Sequence, residues 1–148
     1  MKNFEIKPAL EALRKINLSL IKDAKVKNSL FLLSLELLAA NRSLQQKQED
    51  VRAVILGPVQ DSIDDVNKLI YIINNESDVE KRKELQDKIN SHKELIEPNF
   101  EFTQKIERLM KEEFKIDTIN KDDFISAISE LDNIDLTVLD GLYPILSE

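Results

Sequence analysis

The chain has 148 residues, with 21 lysines and arginines against 28 aspartates and glutamates, so its formal net charge is −7. A hydrophobic fraction of 42% with 33% charged residues is typical of one folded domain and excludes a disordered chain. The absence of cysteine excludes disulfides and thiolate zinc sites. Only two glycines and four prolines occur, which favours long helices joined by short connections.

The first two helices are predicted from apolar residues at helical spacing. Pro8 suits a first turn, and the pattern predicts a first helix over residues 8–24. A second, long helix is predicted over about 29–56, with Asn28 or Ser29 as its cap. A Gly-Pro pair then ends the long helix.

The long helix carries a heptad stripe made of two rows. One row is Leu30, Leu37, Leu44 and Val51, and the other is Leu33, Ala40, Lys47 and Val54. In its first half the remaining faces are apolar too, at Phe31, Leu32, Leu35 and Leu38. We therefore expect this helix to start inside a core and to extend outward. The stripe around Leu44, Lys47 and Val51 is predicted either to be covered within the monomer or to form a coiled-coil seam with another chain or a second copy.

Three further main helices follow the long one. The third begins after Pro58, and the fourth begins at Ser77, which forms a capping box with Glu80. Pro98 ends the fourth helix or opens the fifth. Shorter helical segments complete the chain, one with Thr118 or Asn120 as its cap and the last starting at Asp135. The fold class predicted is an all-α bundle of four to five main helices with a short acidic C-terminal helical segment.

The charge is distributed unevenly along the predicted single domain, residues 1–148. Residues 117–148, the acidic C-terminal subsegment, carry eight acidic residues and one basic residue, whereas the remaining chain has 20 of each. Residues 1–28 hold seven basic against three acidic residues. The chain is therefore basic at its start and strongly acidic at its end.

The acidic subsegment is the predicted docking surface for a basic partner protein, since complementary charge accelerates association and selects among partners. Its candidate contact residues combine carboxylates with aromatic side chains, at Asp122, Asp123, Phe124, Asp132, Asp135, Asp140 and Tyr143. The alternative is that this subsegment folds back on the basic first helix as an internal charge match.

A magnesium-dependent enzyme is the rival interpretation. Asp61 and Asp64 on the third helix, and Glu84 and Asp87 on the fourth, form two pairs with a spacing of three. This layout resembles the ExxE…ExxD pattern of all-α nucleotide pyrophosphatases of the MazG and dimeric dUTPase kind, although the first pair is aspartate. The same spacing recurs elsewhere, at Glu94 with Glu97 and at Asp132 with Asp135.

The sequence lacks the residues that several other kinds of functional site require. The single histidine, His92, cannot supply a di-iron site, and we expect it to be partly buried with a local hydrogen bond. The basic run at residues 81–83 is flanked by Glu80 and Glu84, which cancel its attraction for a phosphate backbone, so we expect no nucleic-acid partner. No phosphate-binding loop or catalytic motif occurs, and we expect no metal or cofactor.

The sequence thus predicts a non-enzymatic protein–protein interaction protein that binds a basic surface. It would be an adaptor, an assembly or chaperone-like factor, or a small acidic inhibitor of the immunity or anti-defence type. The most apolar stretch, residues 30–40, contains Glu36 and is half the length that a membrane span needs, and no secretory signal is visible. We therefore expect a cytoplasmic location with no membrane partner.

Overall fold

The computed structural model describes residues 1–132 and 134–148, and this part of the chain is predominantly helical. The α-helices are α1 Ile6–Arg14, α2 Ala24–Leu56, α3 Gln60–Asn75, α4 Val79–Asn90, α5 Ile96–Lys111, α6 Lys121–Ile128 and α7 Leu136–Leu142. Short 3₁₀ turns occur at Asn3–Glu5, Leu18–Leu20, Gly57–Val59, Lys93–Leu95 and Tyr143–Ile145. The two strands, β1 Ile119–Asn120 and β2 Leu146–Ser147, pair in parallel. The prediction of an all-α fold with one long helix is confirmed.

Packing divides the chain into two compact units. The first unit consists of Met1–Lys47 and Arg108–Glu148, and the second consists of Gln48–Glu107. The long helix α2 and helix α5 contribute residues to both units. The single domain over residues 1–148 stays a prediction.

In the first unit, the main helix–helix contact joins α1 to α7. Among the described residues, the largest fully buried side chains all belong to this unit, and they are Ile6, Leu30, Leu37, Phe124, Val138, Leu142 and Ile145. At the contact, a Cβ on Gly141 would lie 2.8 Å from the Ala12 Cβ and 2.9 Å from the Pro8 carbonyl oxygen. The two helices thus approach so closely that only glycine fits between them.

Backbone hydrogen bonds tie the start of the chain to the segment that follows α5. The Asn3 N–H donates to the Glu112 carbonyl at 3.0 Å, and the Phe114 N–H donates to the Met1 carbonyl at 2.9 Å. The Asn3 side-chain amide also donates to the Leu109 carbonyl at 2.7 Å. Together with the β1–β2 pairing, these bonds make both ends of the chain part of the first unit.

The second unit has a thinner core. Helix α3 contacts α4 and the 3₁₀ turn Lys93–Leu95, yet neither α3 nor α4 has a buried residue. The buried apolar residues of this unit are Ile55, Leu56 and Leu95. Its helices therefore leave their apolar stripes half covered.

The predicted first helix over residues 8–24 is too long. Helix α1 ends at Arg14, and a 3₁₀ turn at Leu18–Leu20 follows it. The Asn17 side chain accepts hydrogen bonds from the backbone N–H of Ser19 at 3.1 Å and from its hydroxyl at 2.6 Å. Asparagine and serine compete in this way with the helical backbone, which apolar spacing alone does not reveal.

Helix α2 begins five residues earlier than predicted. Its first backbone N–H groups are satisfied by Asp23, whose carboxylate accepts from Lys25 at 2.9 Å and from Val26 at 3.0 Å. Asp23 therefore does the capping expected of Asn28 or Ser29. With 33 residues, the helix is about 50 Å long.

Later helix starts follow the predicted residues closely. Asp78 caps α4 one residue after the predicted Ser77, and it accepts the backbone N–H three residues on at 3.0 Å. Asn120 and Asp135 cap α6 and α7. Short polar side chains thus fix these boundaries.

We predict that Gly141→Ala destabilises the protein by about 1 to 3 kcal/mol, because the new methyl group overlaps the α1 backbone. Gly57→Ala is the matched control, since a Cβ there meets nothing within 4 Å and neither glycine has a positive φ. Urea unfolding monitored by circular dichroism measures both variants. Equal free energies of unfolding for the two variants would contradict the close α1–α7 contact.

Candidate protein-interaction surfaces

The apolar residues of the acidic subsegment form core rather than surface. Phe124, predicted to contact a partner, is fully buried in the first unit, so this assignment is corrected. Phe124 and Ile128 lie four residues apart on one face of α6, and both point inward. The segment is therefore an integral part of the fold.

The remaining predicted contact residues of this segment lie on the surface. The exposed side chains are those of Asp122, Asp123, Asp132, Asp135, Asp140 and Tyr143. The backbone N–H groups of Asp122 and Asp123 donate to the Asn120 side chain at 3.0 and 3.1 Å. Both carboxylates stand in the first turn of α6, where the helix dipole favours negative charge. Their contact with a partner stays a prediction.

Asp135 is already engaged within its own chain. Its carboxylate accepts from the Thr137 hydroxyl and from the Val138 N–H, and these hydrogen bonds, with the Thr137 bond first, lower the pKa of Asp135 below its ordinary value. The Lys15 ammonium donates to the Thr137 hydroxyl at 3.0 Å. This chain of polar contacts links the end of α1 to the start of α7.

The fold largely balances the acidic segment with basic residues. The first unit holds 13 basic and 14 acidic residues, a net charge of −1, whereas the second holds 8 basic and 14 acidic residues, a net charge of −6. One direct pair joins Lys22 to Glu130 at 2.8 Å, and their hydrogen bond raises the pKa of Lys22 and lowers that of Glu130. The excess negative charge therefore lies in the second unit.

Leu44, which belongs to the first heptad row of α2 and was predicted to contact a partner, is buried by other residues of this chain. Leu44 is only 7% exposed, so its assignment to a partner seam is corrected. Val51, next in that row, is half-buried, and Lys47 is exposed. Val54, at the end of the second row, is mostly exposed. The stripe is thus covered along one row and open along the other toward its end.

The first half of α2 is buried on one face only, against the expectation of a helix enclosed on all sides. Phe31, Leu32 and Leu35 are 53%, 63% and 49% exposed. At about 100° per residue, Leu32 and Leu35 lie on the side opposite Leu30 and Leu37, which are fully buried, and Phe31 lies beside them. We call Phe31, Leu32 and Leu35 the outer face of α2. Its sequence signal was the set of apolar residues outside the heptad stripe, at Phe31, Leu32, Leu35 and Leu38.

A cleft of about 340 Å³ lies beside the outer face. It is lined by Ser29, Leu32, Leu33, Glu36, Asp117, Thr118 and Ile119. Its two charged residues, Glu36 and Asp117, are both acidic. These two residues also line an adjoining cavity of about 660 Å³, in which Glu113 and Lys115 take part. The cleft itself thus offers two carboxylates next to an apolar surface.

The carboxylates of the enzymatic interpretation do not form a metal-binding cluster. Across residues 1–132 and 134–148, no group of three or more histidine or acidic side chains could hold a metal ion, so Asp61, Asp64, Glu84 and Asp87 are not brought together in that way. Asp64 instead accepts from the Gln60 side chain at 2.9 Å.

The single histidine makes the local hydrogen bond expected of it. The His92 Nδ1 lies 2.7 Å from the Glu94 carboxylate, and His92 is partly buried. This contact is the largest cause of a lowered pKa of Glu94, to which a hydrogen bond with Ser62 also contributes. The arrangement requires no catalytic role for His92.

No family model matches this sequence, and neither a curated protein nor a solved structure is significantly similar to it. Among the helices that the structure describes, none is long and apolar enough to cross a membrane. The outer face of α2 with its acidic cleft is a candidate site, because it combines exposed apolar side chains with carboxylates; α3 also exposes apolar side chains, at Ile70, Tyr71 and Ile72.

We predict that Leu44→Lys lowers the melting temperature without changing the oligomer mass, because it places a charge in a buried position at a cost of several kcal/mol. Val54→Lys is the control, since Val54 is 72% exposed on the other heptad row. Calorimetry and light scattering give the two readouts. A halved mass for Leu44→Lys with unchanged melting would instead indicate an intermolecular seam.

We predict a pH-dependent effect of Asp135→Asn, which keeps a capping side chain but removes its charge. Because the folded pKa of Asp135 is lowered, its charge stabilises the protein above the unfolded pKa of about 3.9, and this contribution is lost as pH falls through the folded pKa. The variant should therefore be less stable than the native protein at pH 6 and approach it near pH 2. Urea unfolding across this range tests the prediction, which a pH-independent difference would contradict.

Proposed function

We propose that this chain is a non-enzymatic interaction protein of the cytoplasm that binds a basic surface on another protein through the outer face of α2. The observation that carries the proposal is the exposure of Phe31, Leu32 and Leu35 side by side on one helix. In a chain with 33% charged residues, adjacent exposed apolar side chains are typical of interaction sites, whereas single ones are ordinary.

The acidic character of the surface supports a basic partner. Glu36 and Asp117 are the two charged residues that line the cleft next to Leu32, and both are acidic. Complementary charge speeds diffusional encounter and disfavours acidic competitors.

The proposal covers three kinds of protein: an adaptor, an assembly or chaperone-like factor, and a small inhibitor that occupies a basic site. All three require a surface that holds apolar anchors and charge together, and none requires a catalytic group. The internal contacts of Asp135 and the burial of Phe124 support the α2 face over the C-terminal segment as the main contact.

A photo-crosslinking residue at position 35 tests the proposal in the native host. We expect it to trap a discrete partner, which the same probe at Val79, 80% exposed, does not trap. The purified partner should then bind the native protein, with an association rate that falls as salt rises. Identical crosslinking patterns at the two positions would count against the proposal.

We further predict that Leu32→Ser with Leu35→Ser weakens binding of that partner at least tenfold, because two apolar anchors are lost. Stability should change little, since both side chains are about half exposed or more. Val79→Ser is the matched control and should bind as the native protein does. Titration calorimetry measures the affinities.

A further inference from the structure

We infer that the outer face of α2 receives a single amphipathic helix of the partner, which rests apolar side chains on Phe31, Leu32 and Leu35 and directs a lysine or arginine into the Glu36–Asp117 cleft. The inference rests on the proposed function and adds the chemistry of the partner's docking element.

A helix fits this surface better than an extended segment. The backbone groups of α2 around the outer face are bonded within the helix, so they offer no edge for an added strand. The stripe from Phe31 to the exposed Ala39 is about 12 Å long, or two helical turns. Proline-rich ligands need grooves lined with aromatic residues, and the outer face has one aromatic side chain, Phe31. The binding mode that remains is the packing of a partner helix against the side chains of α2.

The charge of the docking helix follows from the cleft. Between Asn28 and Asn41, α2 has a single charged residue, Glu36, and the cleft beside it adds Asp117. A lysine or arginine stem packs along apolar surface while its charged end reaches outward. Such a residue on the partner would cover Leu32 and place its cation between the two carboxylates.

A second copy of this chain fits the surface less well. In a two-fold antiparallel pair centred on Leu35, the two Glu36 side chains lie on the same side of the interface and close to the axis. Like charges in this position repel each other, which disfavours this pairing. A basic partner meets the same carboxylates with the opposite charge.

The test uses two synthetic fluorescent peptides of about 18 residues, long enough to form an amphipathic helix on binding. Both have leucines at every third and fourth position, and the other positions are lysine in one peptide and glutamate in the other. We expect the leucine–lysine peptide to bind the native protein at least tenfold more tightly in fluorescence anisotropy. Equal binding of the two peptides would overturn the inference.

Two pairs of substitutions locate the binding. Glu36→Gln with Asp117→Asn should weaken binding of the leucine–lysine peptide about tenfold. The control, Glu80→Gln with Glu84→Gln, removes the same charge from exposed positions of α4 and should change the affinity for this peptide less than twofold. Circular dichroism confirms that both variants fold. If both pairs of substitutions weakened peptide binding equally, the peptide would respond only to the overall charge of the protein, and the inference would be wrong.

The experiments can contradict the docking of a basic helix without contradicting the proposed interaction function. If neither peptide binds while the probe at position 35 still traps a partner, the amphipathic basic helix is wrong and the interaction function stands. If light scattering shows that the native protein doubles its mass and Leu35→Lys reverses this, a second copy occupies the face and the inference is also wrong.

Discussion

The contact between α1 and α7 at Gly141 is the constraint on which the first unit depends. Because Gly141 has no side chain, α7 lies directly against Ala12 and the Pro8 carbonyl, and the fully buried Val138 and Leu142 join the core around it. This contact brings together the first and last helices of the sequence. Through this contact, the apolar residues of the acidic C-terminal subsegment become part of the core, although the sequence suggests a separate tail.

The same contact changes the meaning of the charge asymmetry. Along the sequence, the basic start and the acidic end are far apart, and the net charge falls entirely on the last 32 residues, 117–148. In the fold, these segments belong to one unit with a net charge of −1, and Lys22 pairs with Glu130. Charge counted along a chain thus describes a surface only after the fold has shown which segments share it.

Periodicity and capping chemistry predicted most of the helices. The end of α2 before Gly57 and the caps at Asn120 and Asp135 follow directly from residue type. The end of α1 was not predicted correctly. The apolar residues continue at helical spacing beyond Arg14, but the local hydrogen bonds of Asn17 compete with the helical backbone there. The outer face of α2 was also missed, since periodicity shows which residues are apolar and leaves open which face is covered.

The exposed outer face also sets the strength of binding that it can support. Full burial of one large apolar side chain contributes about 1.5 to 3 kcal/mol, so the exposed halves of Phe31, Leu32 and Leu35 together offer about 2 to 5 kcal/mol. Association costs about 4 to 15 kcal/mol in lost freedom of motion. The partner's facing side chains offer about as much again, so the apolar contact alone gives a complex of marginal stability. If the partner is the basic one proposed above, charge-assisted contacts with Glu36 and Asp117 would supply the remainder, and the affinity would then fall with salt and favour cationic partners.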